Sequence, residues 1–323
     1  MSGKKNNRVL LILFLALAAV FVITRFTSVK NPDRTLRTDI VEIDTSMVTS
    51  MLIYPRAETG EEIRFSKNGS AWTVSMGDIT ASADVQSVRA TLAELMNLET
   101  EQLVARSPDK WESYQVDDSL GTRIIVVQGK KRVLDLVVGR FQYQPPPQQN
   151  YNMYGQNRVT GKTYIRLRGE KEVYSVDGFL ALSVNQTFQR WRNQAITRIS
   201  KTQLSKIVFD YPADSGYIAE KTDAGWLVAG IMADSLSMET YLNGISRKSH
   251  PEFADGFQAG TEPDYRITFE GDNMQAVQLN AYTNRGDTVL QSSINPDTWF
   301  SIKEELFADI FPGYSALLGE TDR

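Results

Sequence analysis

The sequence predicts an α+β protein: two tandem repeats of antiparallel sheet with a helix packed on one face, preceded by one N-terminal transmembrane helix. Three observations predict it. The stretches beginning at Asp39 and Ala195 read alike. In each, an i, i+4, i+7 apolar stripe stands between β-rich segments, the signature of one amphipathic helix among strands. The head of the chain is an unbroken apolar run flanked by bases.

That run is Val9 to Ile23, fifteen apolar residues closed by Thr24 and Arg25. At ~1.5 Å per residue it spans about 22 Å, short of a ~30 Å hydrocarbon core. Arg8 and Arg25 can lend their methylene stems to the span, and Phe26 and Val29 extend it. Residues 1–29 therefore read as an uncleaved signal anchor. Ala16-Leu17-Ala18 mimics a cleavage site, which leaves a cleaved signal peptide as the alternative, but apolar residues continue past it. A run hydrophobic on every side fits lipid better than a domain surface. Lys4, Lys5 and Arg8 before the span nearly balance Arg25, Lys30, Arg34 and Arg37 after it, so charge alone does not orient it. A short basic head, an apolar run and a long folded domain form the layout of a secretory signal. The expected location is the bacterial inner membrane, single-pass, with the large domain periplasmic.

Residues 30–194 and 195–323 form the two repeats. Ile43 answers Ile199, Val48 answers Leu204, Tyr54-Pro55 answers Tyr211-Pro212, and Trp72 answers Trp226. Ala83-Asp84 and Ala233-Asp234 head the helices, with the acid expected in the first turn, where it favours the helix dipole. Val88, Leu92 and Leu95 match Met238, Leu242 and Ile245. Strands follow: Arg123-Ile124-Ile125-Val126 answers Arg266-Ile267-Thr268-Phe269, with Gly129 and Gly271 at hairpin turns. Val277, Leu279 and Ala281 alternate with polar residues, the period of a sheet with one wet face. Val173-Tyr174-Ser175-Val176 answers Trp299-Phe300-Ser301-Ile302. The offset between halves falls from 156 at Ile43 to 142 at Gly129 and 126 at Tyr174. The last step is one loop present only in the first half, Gln142 to Arg158, with Pro145-Pro146-Pro147 and three tyrosines. Consecutive prolines favour an extended polyproline stretch. It reads either as a solvated hairpin tip or as a recognition arm with Tyr143, Tyr151 and Tyr154 as partner contacts, because Tyr joins contact area to a polar tip.

Composition excludes several chemistries. With no Cys there are no disulfides, thiol catalysis or zinc ribbons, and with one His no His-based metal site. Residues 1–29 hold four bases and no acid, leaving 31 bases against 39 acids, a net charge of −8 on the rest. Nucleic-acid backbones need cations, so nucleic acid is not an expected partner. Gly161-Lys162-Thr163 imitates a phosphate loop, but Gly155 stands one residue too far away and strand rather than helix follows, so it reads as a hairpin turn. No cofactor, nucleotide or metal is expected. His250, before Pro251, reads as a surface residue without a nucleophile to serve. Asp117, Asp118 and Asp272 lie beside turn residues and read as turn formers rather than a carboxylate pair. Asn68-Gly69-Ser70 and Asn185-Gln186-Thr187 match a glycosylation sequon at about the frequency chance gives. Trp72 and Trp226 read as core anchors, each contributing roughly 2–3 kcal/mol by burial.

A Trp-containing strand and an Ala-Asp helix, then Tyr114-Gln115-Val116-Asp117, Val138-Gly139, Tyr164-Ile165-Arg166, Val173-Tyr174-Ser175-Val176 and Trp191-Arg192-Asn193, come in a familiar order. Over residues 70–240 the chain resembles the DUF4340 family of bacterial proteins, in which an N-terminal anchor is typical. Two positions depart from the pattern. Gln115 replaces a Gly that permits φ > 0, and Asn193 replaces the Asp that usually follows the Arg. The resemblance implies an extracytoplasmic accessory subunit, often encoded beside ABC-type transport systems of the gliding-associated kind, and carries over no catalytic residues. The expected function is a non-enzymatic, membrane-anchored accessory or scaffold protein whose partner is a permease and ATPase complex. The alternative is a cell-envelope glycan- or lipid-binding module, which predicts an aromatic-lined groove between the repeats. A hydrolase using Asp117 and Asp118 is the third.

Overall fold

Period-two alternation builds most of the chain. In the strand Val48–Tyr54, Met51 and Ile53 are fully buried while Thr49 faces out. The computed structural model describes residues 43–144, 160–284 and 287–320. The predicted N-terminal span lies outside them, and among the described residues no helix is long and apolar enough to cross a membrane.

The first half runs β1 (Val48–Tyr54), β2 (Ile63–Asn68), β3 (Ala71–Met76), β4 (Ile79–Ser82), α1 (Val85–Met96), β5 (Thr100–Ala105), α2 (Trp111–Tyr114), β6 (Thr122–Gln128), β7 (Lys131–Gln144), β8 (Thr160–Leu167), β9 (Val173–Asp177), α3 (Leu180–Val184) and α4 (Phe188–Trp191). The second runs β10 (Leu204–Asp210), β11 (Tyr217–Thr222), β12 (Gly225–Val228), β13 (Ile231–Met232), α5 (Ser235–Ser246), β14 (Tyr265–Gly271), β15 (Val277–Asn284), β16 (Asp287–Ser292), β17 (Asn295–Ile302), α6 (Glu304–Ile310) and α7 (Tyr314–Leu317). The body is mostly β: two antiparallel sheets with a few helices. Their orders are β4-β3-β2-β1-β6-β7-β8-β9-β5 and β13-β12-β11-β10-β14-β15-β16-β17. The first eight strands of one map one-for-one onto the other. The ninth position, held by β5 against β9, is reduced in the second sheet to a single bridge, Phe253 to Phe300.

Each sheet buries one face under one twelve-residue helix. Val88, Leu92 and Leu95 of α1 join Phe65, Trp72 and Trp191 in the first core. Met238, Leu242 and Ile245 of α5 join Phe209, Phe269 and Phe300 in the second. Asp84 and Asp234 are N-caps rather than first-turn residues. Asp84 accepts from the Gln86 amide at 3.0 Å and Asp234 from the Ser237 amide at 2.8 Å, satisfying amides that have no partner within the helix. Their own amides donate to matched carbonyls, Trp191 for Asp84 and Leu317 for Asp234.

The halves meet along a seam. The chain leaving α4 bridges Ala83, and the Asn193 amide donates to Ser82 O at 2.8 Å. Across the seam, Arg192 donates to both carboxylate oxygens of Asp255 at 2.7 and 2.8 Å, with its guanidinium carbon 3.7 Å from the centre of the Phe253 ring. Asn295 at the head of β17 donates to the Asn193 carbonyl at 2.8 Å, and β17 packs beside β4. At β13, which occupies the position of β4 in the second half, Ile231 and Met232 are exposed.

Candidate functional site

The face of the first sheet turned away from α1 is where the sequence motifs converge. Pairing aligns Tyr54, Arg123, Val137 and Arg166 in one row across β1, β6, β7 and β8. The segment between β5 and β6 lies over it. Trp111 stacks 3.9 Å from the Arg166 guanidinium carbon, and Arg166 donates from Nε to the Val116 carbonyl at 2.9 Å. Tyr114 and Tyr164 meet at 4.7 Å, and Ala105, Val116, Val137, Tyr164 and Val173 close a small third core. Burial pulls the Arg166 guanidinium below its ordinary value, opposed by Asp118. Gly139 is required here: a Cβ would collide with the Tyr114 carbonyl oxygen. Gln115 takes the left-handed conformation (φ 56°) that glycine adopts without strain, and its Oε1 accepts from Arg56 at 3.1 Å.

Beside this cover is a cleft of about 410 Å³ lined by Tyr54, Arg56, Asp117, Asp118, Arg123 and Arg168, among others. Its charges are largely paired. Arg123 grips Asp135 with two 2.8 Å bonds, Arg132 adds a third at 2.8 Å, and Arg168 holds Asp118 at 2.8 Å. Tyr54 donates to Glu62 at 2.5 Å; burial and that carboxylate push its hydroxyl up. Burial pushes the Asp135 carboxyl up, but Arg123 and its basic neighbours outweigh it and hold the group below the usual carboxylate range. At Asp117, burial is likewise outweighed, by the Ser119 hydroxyl and the Ser119 and Leu120 amides. The turn-forming expectation is met: Asp117 Oδ1 takes all three of those donors, while its Oδ2 is buried without one. The cleft thus presents guanidiniums, carboxylates and hydroxyls that are largely committed to one another. Among the described residues, no three His, Asp or Glu side chains converge as a metal-ligand set.

Residues 72–268 match the family described as "Domain of unknown function (DUF4340)". The chain belongs to the DUF4340 family. The DUF4340 match begins at Trp72 on β3 and ends at Thr268 on β14, so it takes in the cover over Arg166, the seam at Arg192 and the start of the second sheet. No curated protein and no solved structure matches this DUF4340 chain.

The remaining candidates fall as follows. Tyr143 is 53 % exposed on β7, paired with Gly161; Tyr151 and Tyr154 lie outside the described residues. The loop expected from Gln142 starts later, because Gln142, Tyr143 and Gln144 continue the β7–β8 ladder. Gly161-Lys162-Thr163 is strand interior in β8, not a turn: Gly161 and Thr163 point inward and Lys162 outward, the alternation of a half-buried strand. Lys162 binds Glu101 at 2.5 Å, and its hydrogen bond pulls that carboxyl down. Asp177 pairs with Lys162 in register and shares a hydrogen bond with Glu101, which pushes its carboxyl up. Sequence reasoning missed this acid pair, because only the β5–β9 pairing brings it together. His250 is half-buried rather than on the surface: its Nε2 meets the Ser301 carbonyl at 2.9 Å and its amide donates to Gln194 O. Asn185 accepts from the Ala57 amide at 3.0 Å, and Asp272 sits exposed just after β14. Trp72 is buried in the first core; Trp226 is half-buried against the second. Between the halves runs a groove of about 760 Å³ lined by Asp84, Gln194, Arg198, Arg247 and Lys248, with no aromatic residue in its walls.

Proposed function

We propose that this chain is a non-enzymatic accessory protein, held in the bacterial inner membrane by Val9–Ile23, whose extracytoplasmic body scaffolds an integral-membrane transport complex of permease and ATPase. One observation carries the reading: the motif residues go to architecture. Arg166 fastens the cover over the first sheet, Gly139 lets that cover lie close, and Arg192 ties the halves. A body stiffened at its motif positions suits a part that holds others in register. The exposed Tyr143, at the base of the Pro/Gln/Tyr loop, adds a contact surface on the first half.

The glycan- or lipid-binding alternative predicts aromatic walls between the repeats, and the groove there is polar and basic. The discriminating experiment is purification of the full chain from native membranes in mild detergent, with cross-linking and mass spectrometry. Stoichiometric recovery of a permease and an ATPase supports the scaffold; elution of the chain alone refutes it. Resistance to alkaline extraction and cleavage by protease added to spheroplasts test the anchor and its direction.

A further inference from the structure

The outer faces of the two sheets are laid out alike and finished differently. On the first, the segment carrying Trp111, Tyr114 and Val116 covers the sheet. On the second, register aligns Asp210, Arg266, Asn280, Gln291 and Trp299 in one row across β10, β14, β15, β16 and β17. Tyr282 lies on the same face one step along β15, and Phe257 reaches in from the segment after α5. The rings form a three-way cluster: Phe257 to Trp299 is 5.2 Å, Tyr282 to Trp299 5.6 Å and Phe257 to Tyr282 5.8 Å. None of them is buried, and no pair lies face to face. Among the described residues, neither the Tyr282 hydroxyl nor the Trp299 indole N–H has a hydrogen-bond partner.

The chemistry of the row selects its ligand. Its cation, Arg266, stands between Asp210 at 3.6 Å and Glu262 at 3.3 Å, so an anion arriving there meets surplus negative charge. Gln291 Nε2 already donates to the Pro296 carbonyl at 2.8 Å, and Asn280 Oδ1 accepts from Arg266 at 3.4 Å. A purely apolar partner would strand what these half-exposed amides still offer, the Gln278 side chain, Asn280 Nδ2 and Gln291 Oε1. Amides beside aromatic rings suit an uncharged, polyhydroxylated ligand. The hydroxyls exchange hydrogen bonds with the amides, and the ligand's C–H groups lie against the negative ring faces. From Arg266 to Trp299 the row covers three strand spacings, about 14 Å, a flat track rather than a pocket.

We propose that this face is a platform for a neutral, equatorially linked polysaccharide, with Trp299 and Tyr282 as stacking rings and Asn280 and Gln291 as hydroxyl contacts. This goes beyond the scaffold reading and stands or falls without it. The test uses the full chain in a detergent that carries no sugar headgroup, titrated with cellohexaose and chitohexaose by calorimetry, with an α-linked dextran as the contrast. Saturable binding of at least one β-linked hexasaccharide is expected. Trp299→Ala should weaken it roughly tenfold or more, as loss of an anchor ring does. The pair Asn280→Ala/Gln291→Ala, which leaves the rings in place, should weaken it roughly fivefold. Met47→Ala, exposed on the other half, should leave it unchanged. Failure of both hexasaccharides to bind overturns the proposal. So does wild-type affinity in the amide double variant, which decides the matter if Trp299→Ala fails to fold. A protein ligand lost in Trp299→Ala, with no sugar bound, also overturns it.

Discussion

Removing Asp255 tests most directly whether the two halves behave as one body. Arg192 is 2 % exposed, and Asp255 supplies two of its hydrogen bonds, at 2.7 and 2.8 Å. In Asp255→Ala the guanidinium keeps the Gln189 Oε1 contact at 3.0 Å and the faces of Phe253 and Phe188, while its Nε is unpartnered already. Stripping one partner from a buried ion pair costs about 3–5 kcal/mol. The Asp255 side chain is 32 % exposed, so water can replace part of it, and the low end, about 3 kcal/mol, applies. That corresponds to a fall in Tm of roughly 6–12 °C. Arg192→Met alone should cost a similar amount, because it leaves Asp255 facing an apolar seam. The double variant Arg192→Met/Asp255→Leu should cost less than the sum of the singles by about 1–3 kcal/mol, since no charge is left stranded. Urea unfolding and calorimetry of the four proteins close the cycle. A single-variant shift below about 2 °C, or strict additivity, would show that the seam does not depend on this pair.

Three further outcomes follow from geometry already described. Gln115→Gly relieves a left-handed backbone, at the cost of one exposed contact to Arg56, and should stabilise by about 1 kcal/mol in urea unfolding. Asp117 and Asp135 are held below the ordinary carboxylate range, so below about pH 4 the unfolded chain binds more protons than the folded one. Their stabilisation is present above that pH and is lost as pH falls. Asp135→Asn should therefore lower Tm at pH 7 and flatten the decline between pH 5 and 3 in a calorimetric series. Deleting residues 146–157 leaves Gln144 paired with Thr160 and should change Tm by less than about 2 °C, because shortening a loop alters closure entropy little. Co-purification of the partner should fall in the same variant; an unfolded product would refute the arm.

What was legible in the sequence is what depends on local periodicity and on repetition. The matched helices with their apolar stripes and the core place of Trp72 follow from patterns that recur at a drifting offset. Even the closing carbonyls, Trp191 and Leu317, keep the offset of 126 seen at Tyr174. Turn letters misled at Gly161-Lys162-Thr163, where composition spoke for a hairpin and the in–out alternation of a strand prevailed. The outer-face row was invisible, because Asp210, Arg266, Asn280, Gln291 and Trp299 become neighbours only through four strand pairings. The same holds for Glu101 with Asp177 and for Arg192 with Asp255. Long-range register is set by the whole buried pattern and not by any window of residues.

The seat at which the first half receives the second exists again, in outline, at β13, where Ile231, Met232 and nearby Leu236 stand in water. A molecule made by appending one brick to another carries a growing end. Here that end is a strand of two residues, too brief to template a ladder with a stray neighbour. A longer β13 of alternating residues would offer a row of unpaired amides and carbonyls to any passing strand, and a strand of two residues offers almost none.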